Sequence, residues 1–181
     1  MLVRVRPPER LNSRHELSTF RNGRHPSLDD WLQTRALASE ALSARTYVLC
    51  AADPPERVVG YYAISTAMAD RVALPSAKLR RAMPEQVPLL LIGRLAIDQT
   101  CQGQGLGADL LVDALRRCLA AAEIVGARAV VAHAIDEDAV KFYRHHGFQL
   151  SPLGERVMLM PIEFARALFG TASPQSSTPI S

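Results

Sequence analysis

Gln102-Gly103-Gln104-Gly105-Leu106-Gly107 is the stretch of this chain best suited to hold a ligand. It stands between an apolar run, 89–98, and an amphipathic run, 108–123. Strand, glycine-rich loop, helix is the order that builds an anion cradle. Glycine turns tightly with no Cβ in the way, and the free N–H groups of a helix start point at the anion. Such a cradle suits the pyrophosphate of a nucleotide-like cofactor. Tyr143 is a second candidate: a phenol is protonated at neutral pH and able to donate, although its spacing from Ala139 fits a core aromatic equally well. Arg94 interrupts an otherwise apolar strand. A buried arginine needs partners, either an internal ion pair or an anionic ligand.

Other chemistries find little support. A P-loop needs Lys-Ser/Thr after its last glycine, where Ala108-Asp109 stands. Gly103, Gly105 and Ala108 match the dinucleotide fingerprint, but in that fold the first glycine closes the strand that opens the domain. Here 98–102 intervene, and residues 1–88 precede the strand. No H-E-x-x-H and no G-x-S-x-G occurs. The adjacent His145 and His146 point apart on a helix and suit a surface helix end better than a metal. Cys50, Cys101 and Cys118 are odd in number and unpatterned, so reduced thiols and no metal site are expected; Cys101, beside the loop, reads as filler. Glu137 and Asp138 suit a helix dipole better than a catalytic base, and Asp98 reads as structural.

The elements that must position these groups follow from pattern. Residues 2–6 read as a strand ended by Pro7-Pro8, and 28–44 as a helix whose start is Ser27-Leu28-Asp29-Asp30. Residues 46–51 and 57–67 form a hairpin around 53–56. The span 72–88 is a basic, proline-punctuated loop with room for a helical turn. Residues 89–98 and 127–134 are central strands. Between them Leu106, Leu110, Leu111, Ala114, Leu115 and Leu119 make a helical stripe that ends at Gly126. Residues 137–146 are a short helix, and 148–150 pairs with 157–160. This mixture indicates an α/β domain.

Composition bounds the rest. The 181 residues suffice for one full core; 48% are hydrophobic and 22% charged. We expect a folded domain at 1–165 and a disordered Ser/Pro-rich tail at 166–181. No run approaches the roughly 20 apolar residues of a membrane span, and the N-terminus lacks an apolar signal core, so a cytoplasmic protein with no membrane association is expected. The net charge of +3 is uneven: residues 1–98 hold fourteen Lys+Arg against ten Asp+Glu, and 99–181 seven against eight. The densest basic point is Lys78-Leu79-Arg80-Arg81, with Arg71 nearby. A basic patch can mark nucleic acid, and is more often a solvated loop.

One family fits every segment from 3 to 162. Gln102, Gly105 and Gly107 match the Q/R-x-x-G-x-G/A signature, and the chain resembles the GNAT superfamily of acetyl-CoA-dependent N-acetyltransferases. Phe20-Arg21-Asn22-Gly23, Leu28-Asp29-Asp30-Trp31-Leu32, Val59-Gly60-Tyr61-Tyr62, Gly93-Arg94-Leu95-Ala96-Ile97-Asp98, Ala139-Val140-Lys141-Phe142-Tyr143 and Gly147-Phe148 narrow it: the chain is similar to the acetyltransferase toxins of type II toxin–antitoxin modules. Asn22 departs from the Cys or Ser that many relatives carry there, and no catalytic consequence is expected.

The resemblance implies a mixed, mostly antiparallel central sheet flanked by helices, with a V-shaped splay between the fourth and fifth strands. It implies that backbone groups of Leu95, Ala96 and Ile97 pair with the pantetheine arm of acetyl-CoA. Gln102, Gly103, Gln104, Gly105, Leu106, Gly107 and Ala108 then hold the pyrophosphate. It makes Tyr143 the proton donor to the departing thiolate, with no metal. The implied acceptor is the α-amine of aminoacyl-tRNA, with Arg71, Lys78, Arg80, Arg81 and Arg94 holding RNA phosphates. The implied partners are a ribbon-helix-helix antitoxin and a second copy in a homodimer. The alternatives are a GNAT enzyme for a small-molecule amine or a protein amine, and a non-enzymatic binding module.

Overall fold

A computed structural model describes residues 1–170. The strands are β1 (Glu9–Arg10), β2 (Arg45–Cys50), β3 (Val58–Asp70), β4 (Gln86–Ile97), β5 (Ala129–His133), β6 (Gln149–Leu150) and β7 (Val157–Pro161). The helices are α1 (Pro26–Thr34), α2 (Ala36–Glu40), α3 (Ala77–Arg80), α4 (Leu106–Val125), α5 (Glu137–His145) and α6 (Ile162–Leu168). One sheet of seven strands runs β1-β2-β3-β4-β5-β7-β6, and only the β4–β5 pair is parallel. This is the mixed, mostly antiparallel α/β sheet expected.

Strand alternation sorts the core into two faces. Tyr62, Leu90, Ile92, Val130, Ala132, Met158 and Met160 face one way, under α4, α5 and α6. Tyr61, Ala63 and Ala96 face the other way, under Phe20, Leu28, Trp31 and Leu32 of the α1 region. Further along that second face, Leu89, Val131 and Leu159 pack under Leu74 and Leu79 of the β3–β4 connection. Helix α4 buries Leu106, Leu110, Leu111, Ala114, Leu115, Cys118 and Ala122. Each fully buried leucine contributes about 1.5–3 kcal/mol. All three cysteines are free and buried, and Cys101 is core filler behind the loop.

Several expectations need correction. Residues 2–6 form no strand of their own; Val5 makes one isolated bridge to Ala51, and β1 follows Pro7-Pro8, which lack N–H donors for a continuous ladder. The helix expected over 28–44 breaks at Arg35, which leaves helical geometry with φ −122°. The domain boundary expected at 165 falls inside α6, whose Ile162 and Ala165 are buried in the main core. The remainder of the expected tail, 171–181, lies outside the described residues.

Leu110 is fully buried, whereas Val112 on the same helix is 37% exposed. Leu110→Ala should therefore lower unfolding free energy by about 3 kcal/mol, and Val112→Ala by less than about 0.5 kcal/mol. Denaturant titration of both variants checks the sidedness of α4.

Candidate active site

The site begins with a strand that changes partners. β4 pairs with β5 only at Leu90–Val130, Leu91–Val131 and Ile92–Ala132. On its other side the register steps from Ile64↔Ile92 to Ala63↔Arg94, so Gly93 is the extra residue of a β-bulge. From there to Ile97, β4 pairs with β3 alone. The edge that would have faced β5 is open, and this is the V-shaped splay.

Two adjoining cavities occupy the opening. One of about 250 Å³ is lined by Gly93, Arg94, Leu95, His133, Phe142 and Tyr143, among others. A second, also about 250 Å³, is lined by Leu95, Ala96, Ile97, Gln102, Gly107 and the residues around His25 and Asp136. They share Leu28, Leu95, Ile135, Ala139 and Phe142, so they form one cleft from the bulge to the glycine loop.

The loop is built as an anion cradle. Gly103 and Gly105 have φ +74° and +79°, and a Cβ on either would meet no atom within 4 Å. They are glycines for their backbone conformation. Gly105 caps α4, whose 20 residues aim their dipole at the loop. The first helical amides, at Leu106, Gly107 and Ala108, have no carbonyl within the helix to bond.

The side chains of the loop have other tasks. Gln102 Nε2 donates to Ile97 O at 3.0 Å and Asn22 O at 2.8 Å. Gln104 Oε1 accepts from Val3 N, and Leu106 is in the core. Gln102, Gln104 and Leu106 therefore brace the cradle. Ala96 likewise buries its side chain on the far face. Asn22 joins the brace: its amide donates to the same Ile97 carbonyl at 3.1 Å, and its N–H bonds Asp29.

Tyr143 stands on α5 with its ring edge-on to Phe142 and Phe148, both at 5.3 Å. It is 4% exposed and lines the cleft. Burial pushes its phenol well above the ordinary tyrosine range, so it stays protonated. Arg94 lies over Trp31 at 4.3 Å, and Trp31 stacks on Tyr61 at 6.0 Å. No carboxylate pairs with Arg94 among the described residues, so the internal ion pair gives way to a cation–π stack. Arg94 lines the cleft, and burial lowers its pKa.

The other basic residues are elsewhere. Arg71, Lys78, Arg80 and Arg81 sit in the β3–β4 connection. Arg71 donates its N–H to Glu85 O beside the start of β4, and Arg94 is eight residues past Gln86 along that strand, about 26 Å at the usual rise. Lys78 and Arg80 belong to α3 and Arg81 caps it; Leu79 of that helix packs with Leu89, five residues before Arg94, about 16 Å along the strand. Arg71 and Arg80 also donate to Met83 O and Leu74 O, so part of their function is to hold the connection together.

Among the described residues, no carboxylate lines the cavity beside Tyr143. Asp98 is buried and accepts from Arg21 N, Thr100 N and Thr100 Oγ1, a structural role. His146 Nδ1 donates to Phe142 O at 2.8 Å. Glu9, His15 and Cys50 do gather within 4.8 Å on the far side of β1. There His15 Nδ1 accepts the Asn12 N–H while Nε2 contacts Glu9, and burial pushes the Cys50 thiol up to about 11. Both ring nitrogens are thus engaged and the thiol is protonated. The pattern reading missed His25 and Asp136, which meet across the cleft at 2.7 Å. Only Asp136 left a trace, as a helix cap that accepts from Ala139 N.

The fold and the cradle define an N-acetyltransferase. Residues 43–150 match the acetyltransferase (GNAT) domain family, and the chain belongs to it. It is 40% identical over 164 residues to the tRNA-acetylating toxin of Mycobacterium tuberculosis (strain ATCC 25618 / H37Rv), covering 90% of this chain and 96% of that one. AtaT complexed with acetyl-methionyl-tRNAfMet superposes with a TM-score of 0.83 at 30% identity, covering 92% of this chain and 99% of the other. A tyrosine-to-phenylalanine mutant of AtaT, bound to the C-terminus of its antitoxin AtaR and acetyl-CoA, gives 0.76 at 28% identity with the same coverages.

Gly105→Ala places a Cβ in open space at φ +79°, so its cost is backbone strain of about 1–2 kcal/mol. That strain re-aims the free amides at the start of α4. Acetyl-CoA affinity should fall about tenfold by calorimetry, with the melting temperature lowered by only a few degrees.

Proposed function

We propose that the protein is a toxin that transfers the acetyl group of acetyl-CoA to the α-amine of aminoacyl-tRNA and so blocks translation. Its 40% identity to a tRNA-acetylating toxin, over nearly the whole of both chains, carries this reading. The open edge of β4, the glycine cradle and the buried phenol beside them suit acetyl-CoA. Leu95, Ala96 and Ile97 offer backbone groups to the pantetheine arm, and the amides from Gly103 to Ala108 receive the pyrophosphate. Cognate control falls to an antitoxin of the ribbon-helix-helix type, and the toxin acts in the cytoplasm as a homodimer. No helix of the described residues is long and apolar enough to cross a membrane.

The α-amine nitrogen attacks the thioester carbonyl carbon. A C–N bond forms, the C–S bond breaks, and the departing thiolate takes a proton from the Tyr143 hydroxyl. Solvent returns a proton to Tyr143, and water takes the one lost by the amine. The dry setting that raises the phenol also raises the proton affinity of the thiolate, so donor and acceptor stay matched. A carboxylate base is not required, because a free α-amine titrates near ~8. The acetylated nitrogen is an amide and cannot attack a peptidyl ester.

Arg94 contacts the RNA at the acceptor end. Arg71, Lys78, Arg80 and Arg81 meet phosphates further away, and a second subunit brings a second such set. Arg80→Ala/Arg81→Ala should weaken tRNA binding and reduce its salt slope by about two contacts. Unchanged affinity in both low and moderate salt would remove that cluster from the RNA surface.

Labelled acetyl should pass to purified aminoacyl-tRNA and leave uncharged tRNA unlabelled. Tyr143→Phe should lower turnover by about 10²–10⁴-fold while leaving the fold intact. The rate should rise as pH passes about 8 and should show no fall from Tyr143 ionisation up to pH ~10, since its pKa is raised. Label in a small amine or a protein N-terminus, with none in charged tRNA, would overturn the substrate reading.

A further inference from the structure

Two pairs of groups cross the cleft. His25 Nε2 lies 2.7 Å from Asp136 Oδ2. Arg24 Nη2 lies 2.8 Å from Asp138 Oδ2 and 3.6 Å from Asp136 Oδ2. The cationic side belongs to the segment leading into α1, and the acidic side to the start of α5. All four residues line the cavity whose other wall is Leu95, Ala96, Ile97 and Gly107.

The two pairs are unequal. Arg24 and Asp138 are 58% and 59% exposed, so water screens most of their attraction. His25 and Asp136 are 28% and 25% exposed. The Asp136 carboxyl is held below its ordinary range, first by the Ala139 N–H and then by His25. An ionised carboxylate only accepts, so His25 Nε2 carries the proton and donates. This is a charge-assisted bond between two helix starts.

Both ends are firmly mounted. His25 N donates to Asn22 Oδ1, and Asn22 donates to Ile97 O at the end of β4. Asp136 Oδ1 caps α5, which carries Tyr143 two turns later. The bond therefore ties the free edge of β4 to the helix of the proton donor, across the space between them.

We propose that His25 and Asp136 form a latch over the acetyl-CoA cleft, which must part for the co-substrate to pass and which closes over it once bound. This rests on the reading of the cleft as the acetyl-CoA site. The pair are positioning residues: they hold the walls together and touch no reacting atom. Loss of the latch accelerates release of acetyl-CoA and leaves proton donation by Tyr143 in place.

The test is the dissociation rate of acetyl-CoA from the full chain, measured by stopped-flow displacement, with no acceptor present. Asp136→Ser keeps a capping oxygen for α5 but is too short to reach His25. His25→Ala and Asp136→Ser should each raise the rate about tenfold, and the double variant no further than Asp136→Ser, because the His25–Asp136 bond is lost in all three. Asp136→Ser also loses the longer, screened Arg24 contact, while Arg24 keeps Asp138. His25→Gln, which retains a donor at similar reach, should restore most of the slow release. The maximal rate at saturating acetyl-CoA should fall less than twofold, while KM for acetyl-CoA rises. Release within twofold of the parent rate in His25→Ala, or independent multiplying effects in the double variant, would overturn the latch. Gly105→Ala separates the two readings. If it weakens acetyl-CoA binding while the latch variants do not, the cleft stands and the latch falls; if it has no effect either, the cleft reading falls with it.

Discussion

The parting of β4 from β5 after Ile92 is the constraint on which this molecule depends. A strand inside a sheet satisfies its polar backbone on both sides, and unpaired buried groups are costly. Here residues 93–97 keep β3 on one side and give up β5 on the other. The bulge at Gly93 makes the separation geometrically possible, because the extra residue bends the strand and increases its twist. What remains is an edge in the middle of a sheet, short and walled by helices, where an extended ligand can add itself as a strand.

The surroundings serve to keep that opening in shape. The Ile97 carbonyl, the last of β4, receives two side-chain amides, from Asn22 and Gln102. These fix the strand end to the loop before α1 and to the cradle at once. Tyr61 donates to Leu28 O at 2.7 Å and backs Trp31, which in turn carries Arg94. On the other wall Phe142 and Phe148 hold Tyr143. The Tyr143 phenol and the Arg94 guanidinium thus each rest on packed aromatic rings, in the two clusters that cover the two faces of the sheet.

What pattern could reveal was local. The cradle was legible because Gly103 and Gly105 are needed for backbone angles that few other residues adopt, and α4 because its leucines recur with the helical period. The hairpin around 53–56 was legible from its Asp53-Pro54-Pro55-Glu56 turn, and the runs 89–98 and 127–134 from their continuous apolar residues. The break at Arg35 was not, since no glycine or proline marks it. Helix α6 was missed because it is only seven residues long and runs directly into the Ser/Pro-rich tail, although Ile162 and Ala165 pack into the main core. The pairs His25–Asp136 and Asn22–Ile97 join residues far apart in sequence, and only the closed fold brings them together. Arg94 drew notice as a charge in an apolar strand, but its partner is a tryptophan face rather than a carboxylate.

The most direct test of the open edge is amide hydrogen exchange across β4, with and without acetyl-CoA. Residues 86–92, paired on both sides or packed under the β3–β4 connection, should be protected in either state. Amides within 94–97 and 103–108 should exchange faster in the free protein and gain protection together when acetyl-CoA is added. Protection that rises elsewhere, with 94–97 and 103–108 unchanged, would contradict the account, because the co-substrate would then bind away from the parted strands.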